Sequence, residues 1–162
     1  MKTLLLVRHA KSSWDDPAMT DFDRPLNERG KKDAPAMADR LIARGITIGS
    51  FISSPAKRAK KTAKIFSQAF QRNEEEIILI PELYLASSSV FESVLASIES
   101  DSDTIALFSH NPGITDFANT LTAARIDDIP TCGIFAVSID TDDWKNFRAA
   151  KKEFLFFDYP KA

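Results

Sequence analysis

The chain is short of cysteine, glycine and long apolar runs, and each shortage removes a class of protein. It has one cysteine, Cys132, in 162 residues. That excludes an intrachain disulfide and a cysteine-rich metal site. Cys132 does not start a Cys-x5-Arg phosphatase motif either, because Ser138 stands at the arginine position; it reads as a small buried core thiol. The five glycines form neither a P-loop nor a dinucleotide fingerprint. No internal repeat, low-complexity segment or linker interrupts the sequence. The amino-terminal apolar run, Leu4-Leu5-Leu6-Val7, is too short for a signal-peptide core or a membrane span. These features predict a cytoplasmic protein without a membrane partner. A formal net charge of -2 gives no bulk attraction to nucleic acid or to a membrane surface.

What is present fits one soluble domain over residues 1–162, with 44% apolar and 27% charged residues and enough length for one sizeable core. Its organising stretch is Leu4 to Ala10. Four apolar residues in a row predict a strand buried on both faces. The run ends in Arg8-His9, which places a permanent cation and an imidazole at the carboxyl end of the strand, where open α/β sheets bind ligands. A neutral imidazole beside a fixed positive charge suits attack on a phosphoryl group. A frayed polar strand end is the plainer alternative.

Residues 11–24 are polar and irregular and leave directly from the His9 corner, so they are expected either to border a site or to form a solvated crossover. Asn27 caps a predicted helix running to about Arg44, with Ala34, Met37, Ala38 and Leu41 as its buried stripe, Gly45 as its stop and Pro35 kinking its first turns. Ile46 to Ser53 predicts a second strand. Ser54-Pro55 then predicts a helix start, with serine as the cap. Lys57 and Arg58 in its first turn oppose the helix dipole, a conflict that a bound anion would remove, with a solvated charge pair as the plainer alternative. Ile77 to Ile80 predicts a short buried strand, and Ser89 with Glu92 a capping box. Thr104 to Phe108 predicts another strand, ending in Ser109-His110-Asn111-Pro112-Gly113 before a further helix. Gly133 to Ile139 and Glu153 to Phe157 complete the strands. Asp140-x-Asp142 between them resembles the nucleophile segment of haloacid-dehalogenase-like phosphatases, but Trp144 stands where Thr or Val is needed, so a turn is the better reading.

The chain has only two histidines, and each directly follows a predicted buried strand. In a parallel sheet His9, Arg58 and His110 would share one edge. Three separated segments carry these residues: Leu-Val-Arg8-His9-Ala10-Lys11-Ser12, Ser53-Ser54-Pro55-Ala56-x-Arg58-Ala59-x-x-Thr62-Ala63, and Ser109-His110-Asn111-Pro112-Gly113. With Pro25-Leu26-x-x-x-Gly30, they resemble the histidine phosphatase superfamily, which includes the phosphoglycerate mutases. The nearest form is that of SixA-like phosphohistidine phosphatases.

The resemblance implies a three-layer α/β/α sandwich of the phosphoglycerate mutase-like kind, with a mainly parallel sheet. It implies a phosphatase that needs no metal and no cofactor. His9 would be the phosphorylated nucleophile, and Arg8, Arg58 and His110 would hold the phosphoryl oxygens. The neighbouring motif residues Lys11, Ser12 and Asn111 are candidates for substrate binding. Fixed cations suit a transferring phosphoryl group, whose charge spreads over three oxygens.

Departures from the family pattern bear on the substrate. Ala10 replaces the usual glycine, and Asp15 stands where many members have asparagine, so no ligand role passes to it. Leu85 stands where ester phosphatases and mutases place a glutamate acid, and Glu82 is out of register. The favoured substrate is therefore phosphohistidine on a protein. A small phosphorylated ester, or phosphate binding without turnover, remains as an alternative.

Overall fold

The computed structural model describes residues 1–162. Strand β1 (Lys2–Arg8) lies in the middle of a six-stranded sheet. Its side chains serve both faces: Leu4 and Leu6 join one core cluster, Leu5 and Val7 the other. Burial on both sides explains the unbroken apolar run.

Helix α1 (Glu28–Ala43) is capped by Asn27, whose side chain accepts from the Gly30 amide. It continues through Pro35, which faces solvent, while Ala34, Met37, Ala38 and Leu41 are buried. Gly45 follows at φ +79°, a left-handed stop suited to glycine. Gly30 has a separate role. A Cβ there would collide with the Lys11 carbonyl oxygen, so glycine lets the helix pack against the chain leaving β1.

Strand β2 (Ser50–Ser53), helix α2 (Lys57–Ala69), strand β3 (Ile78–Leu79), helix α3 (Ser88–Ser97), strand β4 (Thr104–Ser109), helix α4 (Gly113–Leu121) and strands β5 (Ile134–Ile139) and β6 (Lys152–Asp158) follow. The sheet order is β3-β2-β4-β1-β5-β6. The four strands β3, β2, β4 and β1 run parallel, and β5 and β6 are antiparallel additions. Helices α1 and α2 cover one face through Met37, Ala63 and Phe66. Helices α3 and α4 cover the other through Phe91, Leu95, Ile114 and Phe117. The expected three-layer α/β/α domain with a mainly parallel sheet is observed.

Several local expectations need correction. β2 starts at Ser50 rather than Ile46. β3 is an exposed two-residue edge, with Ile78 and Leu79 both exposed, rather than a buried strand; an apolar run alone does not distinguish edge from centre. Helix α2 begins at Lys57, with Ala56 rather than Ser54 at its cap. Ser89 and Glu92 form no capping box: Ser87 precedes α3, and Glu92 instead accepts from Arg148 at 2.9 Å. The segment around Asp140 to Asp143 is a connection between strands, in which Asp143 caps a short 3₁₀ turn, Trp144–Asn146.

Three neighbouring parallel strands carry the motifs to one edge. Arg8 pairs with Ser109 in the β1–β4 register, so His9 and His110 emerge side by side. Ser53 pairs with Phe108, which brings Ser54 and the start of α2 to the same edge.

Candidate active site

At that edge lies a cavity of about 740 Å³, lined by Arg8, His9, Lys11, Ser12, Arg58, His110 and Asn111 among others. Every site residue expected from the sequence is therefore brought together. The 11–24 segment supplies a wall through Trp14, Asp21 and Arg24.

The two imidazoles sit with ring centroids 5.1 Å apart, and both side chains are buried. His9 is fixed by the backbone: its Nδ1 lies 2.7 Å from the Ala10 carbonyl oxygen. A carbonyl can only accept, so Nδ1 carries the proton and Nε2 keeps a lone pair. The backbone around it is also held. The His9 amide donates to the Ser109 carbonyl at 3.1 Å, and the Ala10 amide to Thr62 Oγ1 at 3.0 Å. Burial, assisted by His110 and the nearby arginines, pushes His9 down to about 3. Burial and then Arg58 push His110 down to about 3. Both rings are thus neutral near pH 7. His110 Nε2 lies 2.7 Å from Ser54 Oγ, while its Nδ1 is buried without a protein partner.

Positive charge comes from Arg8, Arg24 and Arg58. Arg8 Nη1 donates to the Ile129 carbonyl at 2.9 Å. Arg58 Nη1 and Nη2 donate to Asp21, at its carbonyl oxygen (2.6 Å) and Oδ2 (3.1 Å). The Nε atoms of Arg8 and Arg58 are buried and have no protein acceptor. Arg24 is 7% exposed; it donates to Ser12 Oγ at 2.6 Å and to Asp21 Oδ1, beneath the Trp14 ring at 3.5 Å. The Tyr84 hydroxyl donates to Asp21 Oδ2 at 2.6 Å. These donors, Tyr84 first, hold the Asp21 carboxyl down at about 2.

Sequence reasoning missed Arg24, Ser54 and Tyr84 as parts of this network. Arg24 adjoins the Pro25-Leu26 match and ends the polar lip, a signal that was available. Ser54 was assigned to helix capping, and its hydroxyl does accept the Ala56 amide at 3.2 Å, but it also meets His110. Nothing in the sequence marks Tyr84. Asn111 is present in the lining, yet its amide is already engaged: it donates to Asp128 and Ile129 and accepts from Thr115. Asp15 is exposed and lies outside the lining.

Leu85 lines the cavity at φ +87° and is 84% exposed. Glu82 is exposed and outside the lining. The lining carboxylates are Asp21 and Asp116. Cys132 is fully buried, and burial raises its thiol pKa far above the ordinary range, which removes it as a nucleophile. No group of three or more His, Cys, Asp or Glu side chains is arranged to hold a metal ion, and no helix is long and apolar enough to cross a membrane.

Comparison with known proteins agrees with this geometry. An uncharacterized chloroplastic protein of Arabidopsis thaliana is 30% identical over 152 residues, covering 89% of this chain and 69% of the plant protein. The structure of a candidate phosphohistidine phosphatase SixA from Agrobacterium tumefaciens is similar at a TM-score of 0.82 and 28% identity, with 98% of each chain covered. A protein histidine phosphatase SixA complexed with tungstate shares the fold at a TM-score of 0.83 and 20% identity, over 98% of this chain and 97% of that one. Residues 4–84 match the family model of the histidine phosphatase superfamily (branch 1); with the two strand-end histidines and their arginines on one sheet edge, the chain belongs to that superfamily.

Proposed function

We propose that this protein is a metal-independent phosphatase of the cytoplasm that removes the phosphoryl group from phosphohistidine on another protein, through a phosphorylated His9. The observation that carries this reading is the 2.7 Å contact between His9 Nδ1 and the Ala10 carbonyl. It leaves Nε2 unprotonated in a cavity that also holds Arg8, Arg24 and Arg58. Nε2 attacks phosphorus as the substrate P–N bond breaks, and the substrate imidazole departs with the proton already on its other nitrogen. Water then attacks the phosphoryl group on His9. The P–Nε2 bond breaks, both water hydrogens leave on dihydrogen phosphate, and His9 regains its lone pair. Arg8, Arg58 and His110 stabilise the equatorial oxygens in both steps, with the exposed Lys11 and the buried Ser12 beside them. The Asn111 amide, already engaged, holds the Asp128–Ile129 loop against the cavity.

One observation favours a second reading, hydrolysis of small phosphate esters. Asp116, in the first turn of α4, lines the cavity and is exposed, so a carboxyl group is within the site.

Trapping during turnover of a labelled phosphohistidine protein tests the proposal. The expected label on His9 is acid-labile and base-stable, and absent from His9→Ala. Label that survives acid, or persists in that variant, overturns it.

A further inference from the structure

Beside the active-site mouth lies a second groove, of about 460 Å³, in which five of ten lining residues are lysines. Lys57, Lys60, Lys61 and Lys64 recur at helical spacing along one face of α2, and Lys31 joins them from α1. Helix α2 contains no acidic residue. Lys64 pairs with Glu74 at 2.9 Å and Lys31 with Glu28 at 3.6 Å. Lys57, Lys60 and Lys61 make no ion pair, and Asp23 is the one carboxylate in the lining. Unneutralised cations at a helix N-terminus oppose both each other and the dipole. In a chain of net charge -2, this concentration is not a bulk property.

The groove adjoins the active site. The 3₁₀ turn Asp21–Asp23 separates them: Asp21 lines the catalytic cavity, whereas Phe22 and Asp23 line the groove. The start of α2 divides likewise, with Arg58 in the cavity and Lys57 in the groove. We propose that the groove docks an acidic segment flanking the phosphorylated residue of a protein substrate, an inference that rests on the protein-substrate reading above. Exposed lysines on flexible stems attract and orient an acidic chain, and lack the rigid forks that would clamp a small phosphate. Phe22, Pro25 and Pro55 add an apolar floor for a side chain of that segment. The lining has no arginine, and its one aromatic, Phe22, packs edge-on against Tyr84 at 5.0 Å, so no stacking platform for nucleic-acid bases is present.

The test uses the full chain and peptides carrying a stable triazole analogue of phosphohistidine, flanked by glutamates or by glutamines. Fluorescence anisotropy at low and high salt compares the wild type with the triple variant Lys57→Gln, Lys60→Gln, Lys61→Gln. The expected result is at least about tenfold tighter binding of the glutamate-flanked peptide at low salt, lost in the triple variant and weakened by salt. Turnover of free phosphohistidine by that variant should be unchanged. Lack of preference for glutamate flanks, or a preference that survives the triple variant, overturns the proposal. So does lysine-dependent binding that favours an oligonucleotide or anionic vesicles over the acidic peptide. Failure of the protein-substrate reading is separately visible, as wild-type protein that binds the analogue but does not hydrolyse authentic phosphohistidine peptides.

Discussion

Arg58 is held twice by Asp21, through the backbone carbonyl at 2.6 Å and through Oδ2 at 3.1 Å. The same carboxylate accepts from Arg24 and Tyr84, so one loop residue assembles groups from three separate segments. A phosphoryl group in the cavity would meet an arginine already aimed and partly neutralised. Arg58→Ala should lower kcat/KM by about 10² or more, the usual effect of removing a preorganised donor to transition-state charge. The melting temperature should change little, because a first-turn cation that opposes the dipole is lost as well. Steady-state kinetics and a thermal melt check both parts. A large stability loss with normal activity would make Arg58 structural.

Both histidines are held neutral by burial, and this sets the sign of the pH response. Above pH 6.5 the rings are neutral whether the chain is folded or not. Below it, the unfolded rings take up protons that the folded ones, at about 3, refuse, so stability falls progressively as pH drops through this window. Asp21, held at about 2 against 3.8, adds a further loss at the acid end. In ¹⁵N spectra of the free protein, neither ring should titrate between pH 8 and pH 5. Tungstate in the cavity should raise the His110 transition, since an anion favours the imidazolium. With only two histidines, His110→Gln suffices for assignment. A ring titrating near 6.5 in the free protein would contradict the burial argument.

The site was more legible in the sequence than the elements around it. Arg8, His9 and His110 are marked by their position after apolar runs and Arg58 by its place in a first helical turn, and parallel pairing of β1, β4 and β2 converts those positions into proximity. The limits of β2 and β3 were not legible, because apolar composition does not encode which strand becomes an edge. The Asp21–Arg24–Tyr84 network was also hidden. It joins a polar loop to Tyr84, the residue after the 3₁₀ turn Pro81–Leu83, a contact 63 residues apart along the chain that no local pattern encodes. Ser54 shows a third limit: a good capping residue can serve a turn and a catalytic-site hydrogen bond at once.

Chelators should leave activity unchanged. In the proposed mechanism, Arg8, Arg58 and Arg24 supply the charge that a metal ion would otherwise bring. Asp140 and Asp142, the pair that resembles a dehalogenase-like nucleophile segment, lie outside the lining of the catalytic cavity. Assays with and without EDTA check this. Loss of activity restored by Mg²⁺ would require a metal-assisted route.

Substrate preference follows from the acid position. Breaking an alkyl phosphoester expels an alkoxide, and a positioned acid typically contributes about 10² to 10⁴ in rate. The imidazole of phosphohistidine leaves already protonated and needs no such help. By the resemblance, the family's acid position falls on Leu85, an aliphatic side chain on the cavity lining and 84% exposed. Asp21 is a poor donor, because its hydrogen bonds hold it ionised down to about pH 2. Dephosphorylation should therefore be fastest for a phosphohistidine protein, slower for aryl phosphates and slowest for alkyl phosphates at matched concentration. Leu85→Glu should raise kcat/KM for alkyl phosphates by about tenfold or more and leave phosphohistidine turnover nearly unchanged. Its effect on stability should be small, because the leucine side chain it replaces is exposed. Asp116→Asn provides the opposing control. If wild type prefers a sugar phosphate to phosphohistidine and Asp116→Asn abolishes that activity alone, Asp116 is the acid and the ester reading replaces the phosphohistidine one.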